Sequence, residues 1–205
     1  MKTKRKALLL SLCAVLLVVA SVMGTMAYLT STTGTVTNTF TVGEAVVITL
    51  DEAKTDANGV AVTPASRITT GNQYKLMPGH EYTKDPTVHV TGETCYVFVK
   101  VSNGISDIEA AGNTTIAAQM AAKGWKAVEG KTGLYVYANG DDTKTAVSKS
   151  TDLTVFEKFV VNSTLDRDAL ADVASNTITI TAYAVQVDGF ENNTPAEIWT
   201  ATFNL

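Results

Sequence analysis

Few residues of this chain are equipped for chemistry. Only two of its 205 residues are histidine, His80 and His89. Imidazole is the usual metal ligand and general base near neutral pH. Neither histidine belongs to a His-Glu-x-x-His pair, which would set two ring nitrogens on one helix face around zinc. His80-Glu81 with Asp85 offers donors for loose metal binding, and the plainer reading is a turn histidine at 80 and a strand-surface histidine at 89. The Gly-x-Ser-x-Gly elbow that exposes a serine nucleophile is missing, as is a glycine loop that would cradle phosphate. Asp141-Asp142 and Asp166-x-Asp168 lack the ligand spacing of a calcium loop and read as solvated acids. Trp125, Tyr135 and Tyr137 fit a sugar-stacking face or, more simply, a core. The expectation is a protein that is no enzyme, with no metal or cofactor.

Strands must position whatever sites exist. Val, Thr, Gly and Asn dominate after residue 28, and proline is rare. That composition favours sheets. Val36, Asn38, Phe40 and Val42 alternate with Thr35, Thr37, Thr39 and Thr41, the period-2 pattern of a half-buried strand. Val46, Ile48 and Leu50 define a second strand ending at Asp51-Glu52. Asn58-Gly59 and Pro78-Gly79 read as turns. Thr83 to Thr91 is a strand whose Pro86 places it at an edge or starts it after the proline. Cys95 to Ser102 is apolar on both faces, so it is expected to be central and buried on both sides. Asn113 to Ala122 fits a short helix capped by Asn113 or Thr114 and ended by Gly124. Trp125 to Val128 pairs with Leu134 to Ala138. Leu153 to Val161 is a strand or a strand–helix junction, Asp166 to Ala171 a helical turn, and Thr177 to Val187 a long strand. Thr194 to Thr202 is a short helix or a closing strand. This order predicts a mainly β fold, a jelly-roll-type β-sandwich with one or two short helical insertions, as a single domain over residues 44–205. A lysine–asparagine isopeptide crosslink occurs in some surface proteins of this general architecture. Lys100 and Asn176 are conceivable partners that the sequence does not bring together.

The first 43 residues have a different texture. Lys2, Lys4, Arg5 and Lys6 precede an apolar stretch from Ala7 to Met23, and small residues follow. These are the three parts of an export signal. Thr25 and Ala27 suit the −3 and −1 positions, so residues 1–27 are read as a cleaved signal peptide with the cut between Ala27 and Tyr28. An uncleaved anchor is the alternative. Cys13 lies inside the apolar run, where a lipid-bearing cysteine would end it. Cleavage removes four of the 16 basic residues and none of the 20 acidic ones, leaving a net charge of −8. An acidic chain without clustered Lys and Arg is unsuited to nucleic acid or to anionic membrane surfaces. No stable membrane association is expected after the cut. Cys95 is then the one remaining cysteine, so no internal disulfide can form. It alternates with Val97, Val99 and Val101 and reads as a buried thiol.

Several stretches resemble the camelysin/TasA family of exported bacterial proteins. They are Gly24-Thr-Met-Ala-Tyr-Leu-Thr30, Thr37-Asn-Thr-Phe-Thr-Val-Gly43, Met77-Pro-Gly79, Cys95-Tyr-Val-Phe-Val-Lys-Val101, the strand from Ile178 to Val185 with Gln186, and Pro195-Ala-Glu-Ile-Trp199. Leu29, Ser31 and His80 depart from the Phe, acid and Asp common at those places. The resemblance implies processing by a SipW-type signal peptidase and secretion to the matrix or cell surface of a bacterium. It implies a biofilm-matrix or surface-fibre subunit whose partners are copies of itself and related matrix subunits. Residues 28–43 would then be a donor segment, with Val36, Asn38, Phe40 and Val42 on the assembly strand. A monomeric adhesin or binding domain, keeping residues 35–42 in its own sheet, is the rival. A metallopeptidase, a label given to some family members, is the third reading.

Overall fold

A computed structural model of the protein describes residues 6, 11–17, 44–173 and 175–203. The chain divides into two compact units, Met1–Val42 and Gly43–Leu205. In the first, residues 11–17 are helical and exposed. No helix among the described residues is long and apolar enough to cross a membrane. The cleavage pair Ala27–Tyr28 and the assembly-strand residues Val36, Asn38, Phe40 and Val42 lie outside the described residues.

The second unit is mainly β, with antiparallel sheets and few helices. Its strands are β1 (Ile48–Ala53), β2 (Arg67–Ile68), β3 (Glu81–Thr83), β4 (Thr87–Val90), β5 (Cys95–Asn103), β6 (Trp125–Ala127), β7 (Leu134–Tyr137), β8 (Thr151–Thr154), β9 (Lys158–Val160) and β10 (Ile178–Gln186). Among the described residues of this unit the α-helices are α1 (Ile116–Ala122), α2 (Arg167–Asp172) and α3 (Pro195–Thr202), three where the sequence predicts one or two, besides a 3-10 turn at Ser106–Ile108. One sheet has the order β2-β1-β4-β8, a second the order β10-β5-β7-β6, and β3 pairs with β9.

Alternation along β5 explains the layering. Cys95, Val97, Val99 and Val101 enter a core shared with Val88 and Val90 of β4 and Leu153 of β8. Tyr96 and Phe98 point the other way, against Ile198 and Trp199 of α3. The strand is therefore covered on both faces, as its two apolar faces predict. Helix α3 resolves the open choice at residues 194–202. Thr194 accepts from the Glu197 backbone and the Glu197 side chain returns the bond, a capping box with Pro195 in the first turn.

Other expectations shift. Strand β4 begins just past Pro86, which has no N–H to give a ladder. The stretch from Leu153 to Val161 is neither one strand nor a strand–helix junction. It divides into β8, beside β4, and β9, beside β3, so Pro86 and the Val155 to Glu157 segment interrupt the two chains side by side. Helix α1 is capped by Thr115, whose hydroxyl accepts from Ala118 N at 3.2 Å, rather than by Asn113 or Thr114. Thr114 is occupied in donating to Ala110 O at 3.2 Å. Strand β1 does not stop at Asp51-Glu52. It runs on to Ala53 because Glu52 keeps the inward phase of Ile48 and Leu50 and finds a buried partner there.

Candidate functional site

Strand β2 pairs with only the last two residues of β1, through Glu52↔Ile68 and Ala53↔Arg67. Upstream, Ile48 to Asp51 have β4 on one side and no described strand on the other. Strand β10 pairs with β5 along all nine of its residues, from Ile178↔Asn103 to Gln186↔Cys95. It is the last strand of its sheet, so its outer edge meets no described strand. Between these two edges runs a seam of about 240 Å³, lined by Leu50, Asp51 and Glu52 from β1 and Ile178, Thr179 and Ile180 from β10. It opens into a cleft of about 880 Å³ walled by the Thr70 to Leu76 loop, Phe159, and Arg167 and Leu170 of α2. Lys84 lies on both.

Polar side chains close the floor of the seam. Lys84 Nζ lies 2.5 Å from Glu52 Oε2, with the two side chains only 8% and 7% exposed. Glu52 Oε1 accepts from Asn72 twice, from N at 3.0 Å and from Nδ2 at 2.9 Å. Asn72 Nδ2 also donates to Ala53 O at 2.8 Å, and its Oδ1 accepts from Thr55 N at 2.8 Å. Gly71, at φ +79°, supplies the left-handed turn that swings Asn72 inward. Tyr74 donates to Thr83 O at 2.8 Å beside this group. Its phenol is pushed up to about 12 by burial, with the Glu52 charge adding to the effect. A buried ion pair seldom gains as much from attraction as it loses in hydration, so stability alone gives little reason for this cluster.

The outer face of the same sheet carries a second polar row. His89 Nδ1 lies 2.7 Å from Asp152 Oδ1 and Nε2 lies 2.9 Å from Asp51 Oδ1. Arg67 bridges Asp51 at 2.5 Å and Asp85 at 2.8 Å. The bond to Asp51 raises the His89 pKa, partial burial opposes it, and Asp152 adds to it. Burial works against the Asp51 anion, but bonds from His89 and Arg67 together hold its pKa down.

The residues proposed for loose metal binding do not converge. His80 Nε2 meets Asn58 O at 2.8 Å, Glu81 pairs with Lys158 at 2.7 Å, and Asp85 accepts from Ala53 N at 2.6 Å. Among the described residues no group of three or more His, Cys, Asp or Glu is placed to hold a metal ion. Cys95 is fully buried and its thiol is pushed up to about 11 by that burial. Trp125 is a core residue, donating Nε1–H to Thr154 O at 3.1 Å. Lys100 sits opposite Thr181, whereas Asn176 lies just before the start of β10 and bonds Gly104 O at 2.7 Å, so that conceivable crosslink pair stays apart. Lys84, Glu52 and Asn72 escape a reading of the sequence. Glu52 alone carries a signal, the continued inward phase of its strand. Set against protein-family models, curated proteins and solved structures, the chain matches none.

Proposed function

We propose that the protein is an exported structural subunit of bacterial extracellular-matrix or surface fibres, joined when the N-terminal strand of one copy, residues 35–42, adds to a sheet edge of the next. One observation carries this reading: the open edge of β10 is nine residues long, whereas the other edge strands of the two large sheets, β2, β6 and β8, have two, three and four. Long open edges are normally blunted or covered, because they recruit further strands. An added strand would gain main-chain hydrogen bonds from β10 and lay alternate side chains into the seam beside Leu50, Ile178 and Ile180. Val36, Phe40 and Val42 are the inserted side chains, with Asn38 in phase between them. Each apolar one contributes about 1.5–3 kcal/mol before ordering costs. Donation from head to tail need not close into a ring, and then it grows filaments.

In this reading the core is a jelly-roll-type sandwich and the precursor is cut between Ala27 and Tyr28 by a SipW-type signal peptidase. The mature chain is neither an enzyme nor a cofactor carrier. Its partners are its own copies and related matrix subunits. The cleft of about 880 Å³ favours a second reading, a secreted binding domain or adhesin. To separate the two, residues 28–205 are purified as monomer and followed by light scattering and negative-stain microscopy at rising concentration. Fibres that vanish on Phe40→Asp, and on deletion of residues 28–42 with the core still folded, are the expected result. A stable monomer at every concentration moves the conclusion to the binding domain. Unfolding on the deletion returns the strand to its own subunit.

A further inference from the structure

We infer that the floor of the seam is a self-modification site, at which Lys84 and Asn72 join in an intramolecular isopeptide bond with Glu52 as the proton carrier. Glu52 bonds both of the other two groups. One carboxylate holds the nucleophile on Oε2, at 2.5 Å from Lys84 Nζ, and the leaving nitrogen on Oε1, at 2.9 Å from Asn72 Nδ2. The carbonyl to be attacked is polarised, since Asn72 Oδ1 accepts from Thr55 N at 2.8 Å. That N–H stays in place as the oxygen gains negative charge, the role of an oxyanion donor. The Thr55 hydroxyl is buried beside it without a hydrogen-bond partner, a spare donor on the same residue. Lys84 and Glu52 are largely shielded from water, which keeps the proton transfer between them from being diverted to solvent.

The step balances without any co-reactant. Lys84 Nζ passes a proton to Glu52, and its freed electron pair forms a bond to Asn72 Cγ. A second Nζ proton follows through the same carboxyl group. Both protons reach Nδ2, the Cγ–Nδ2 bond breaks with its electron pair on nitrogen, and ammonium departs. Glu52 ends as the carboxylate it began as. Holding both reactants on one carboxylate makes the attack effectively unimolecular. The product ties the cleft-wall loop to the segment between β3 and β4. It gives the fold a covalent staple that its single buried thiol, Cys95, cannot supply. The inference stands independently of the fibre reading.

Tryptic mapping of the purified full chain tests it. Cleavage after Lys75 and Lys84 of an unjoined chain yields linear peptides 68–75 and 76–84. A joined chain yields one branched species linking 68–75 to 76–100, lighter by one ammonia than its parts, because modified Lys84 resists trypsin. The branched species is expected as the main form. Glu52→Gln is expected to slow its formation by about 100-fold or more, the usual loss on removing a general acid–base group. Linear peptides at full mass from folded wild-type protein after long incubation overturn the inference. So does ammonia loss confined to a cyclic imide at Asn58-Gly59. If Glu52→Gln fails to fold by circular dichroism, the wild-type map still decides.

Discussion

His89 is gripped by carboxylates on both ring nitrogens, and this makes the fold sense pH. The charged imidazole is favoured in the folded state, so its folded pKa lies above the ordinary 6.5. Its contribution to stability is complete below that value and is lost as pH rises through the raised folded value. Asp51 works in the opposite sense. Its contribution is present above the ordinary 3.8 and is lost as pH falls through the depressed folded value. Melting temperature is therefore expected to decline from about neutral pH upward, and His89→Asn should flatten that slope. A wild-type melting temperature that holds level or climbs over the same range would contradict the geometry. At this scale the sequence was a poor guide to the site. His89 was legible as a strand-surface residue, but its flanking acids come from β1 and β8, far apart in the chain. Asn72 sits in a polar loop with no pattern at all, and only the fold makes it a neighbour of Lys84.

Among the elements, those fixed by local pattern could be read and those fixed by distant pairing could not. Strands β5 and β10 were legible because alternation and length are written in consecutive residues. The Thr194-x-x-Glu197 spacing with Pro195 is a helix-start pattern, and α3 is the helix it starts. The break between β8 and β9 was hidden, since it faces Pro86, in the distant segment between β3 and β4. The open flank of β1 was hidden as well, because β2 covers only its last two residues. Helix α3 offers a clean test. Thr194→Ala removes the capping box and should cost about 1 kcal/mol. Denaturant titration reads that loss as a lower midpoint with an unchanged slope. No change in midpoint would mean that Trp199 and Phe203 packing alone holds the helix.

For the whole molecule, Cys95 is a reporter placed at the centre. It is fully buried in the shared core and its thiol ionises only well above neutral pH. Thiol reagents need both access and thiolate, so labelling at Cys95 of folded protein at pH 8, read by peptide mapping apart from exposed Cys13, should follow global opening and rise in step with denaturant unfolding. Rapid labelling under native conditions would show that the two large sheets part locally. The layering also sets a timetable. Strand β5 waits for β10 before its far edge is paired, and Phe98 waits for Trp199 and Phe203 before its outer face is covered. Pairings so distant in sequence are slow to form. A chain emerging from its N-terminus thus carries an uncovered middle strand until residues near 200 are out. The last elements of the chain thus act as the keystone of a layer that its middle begins.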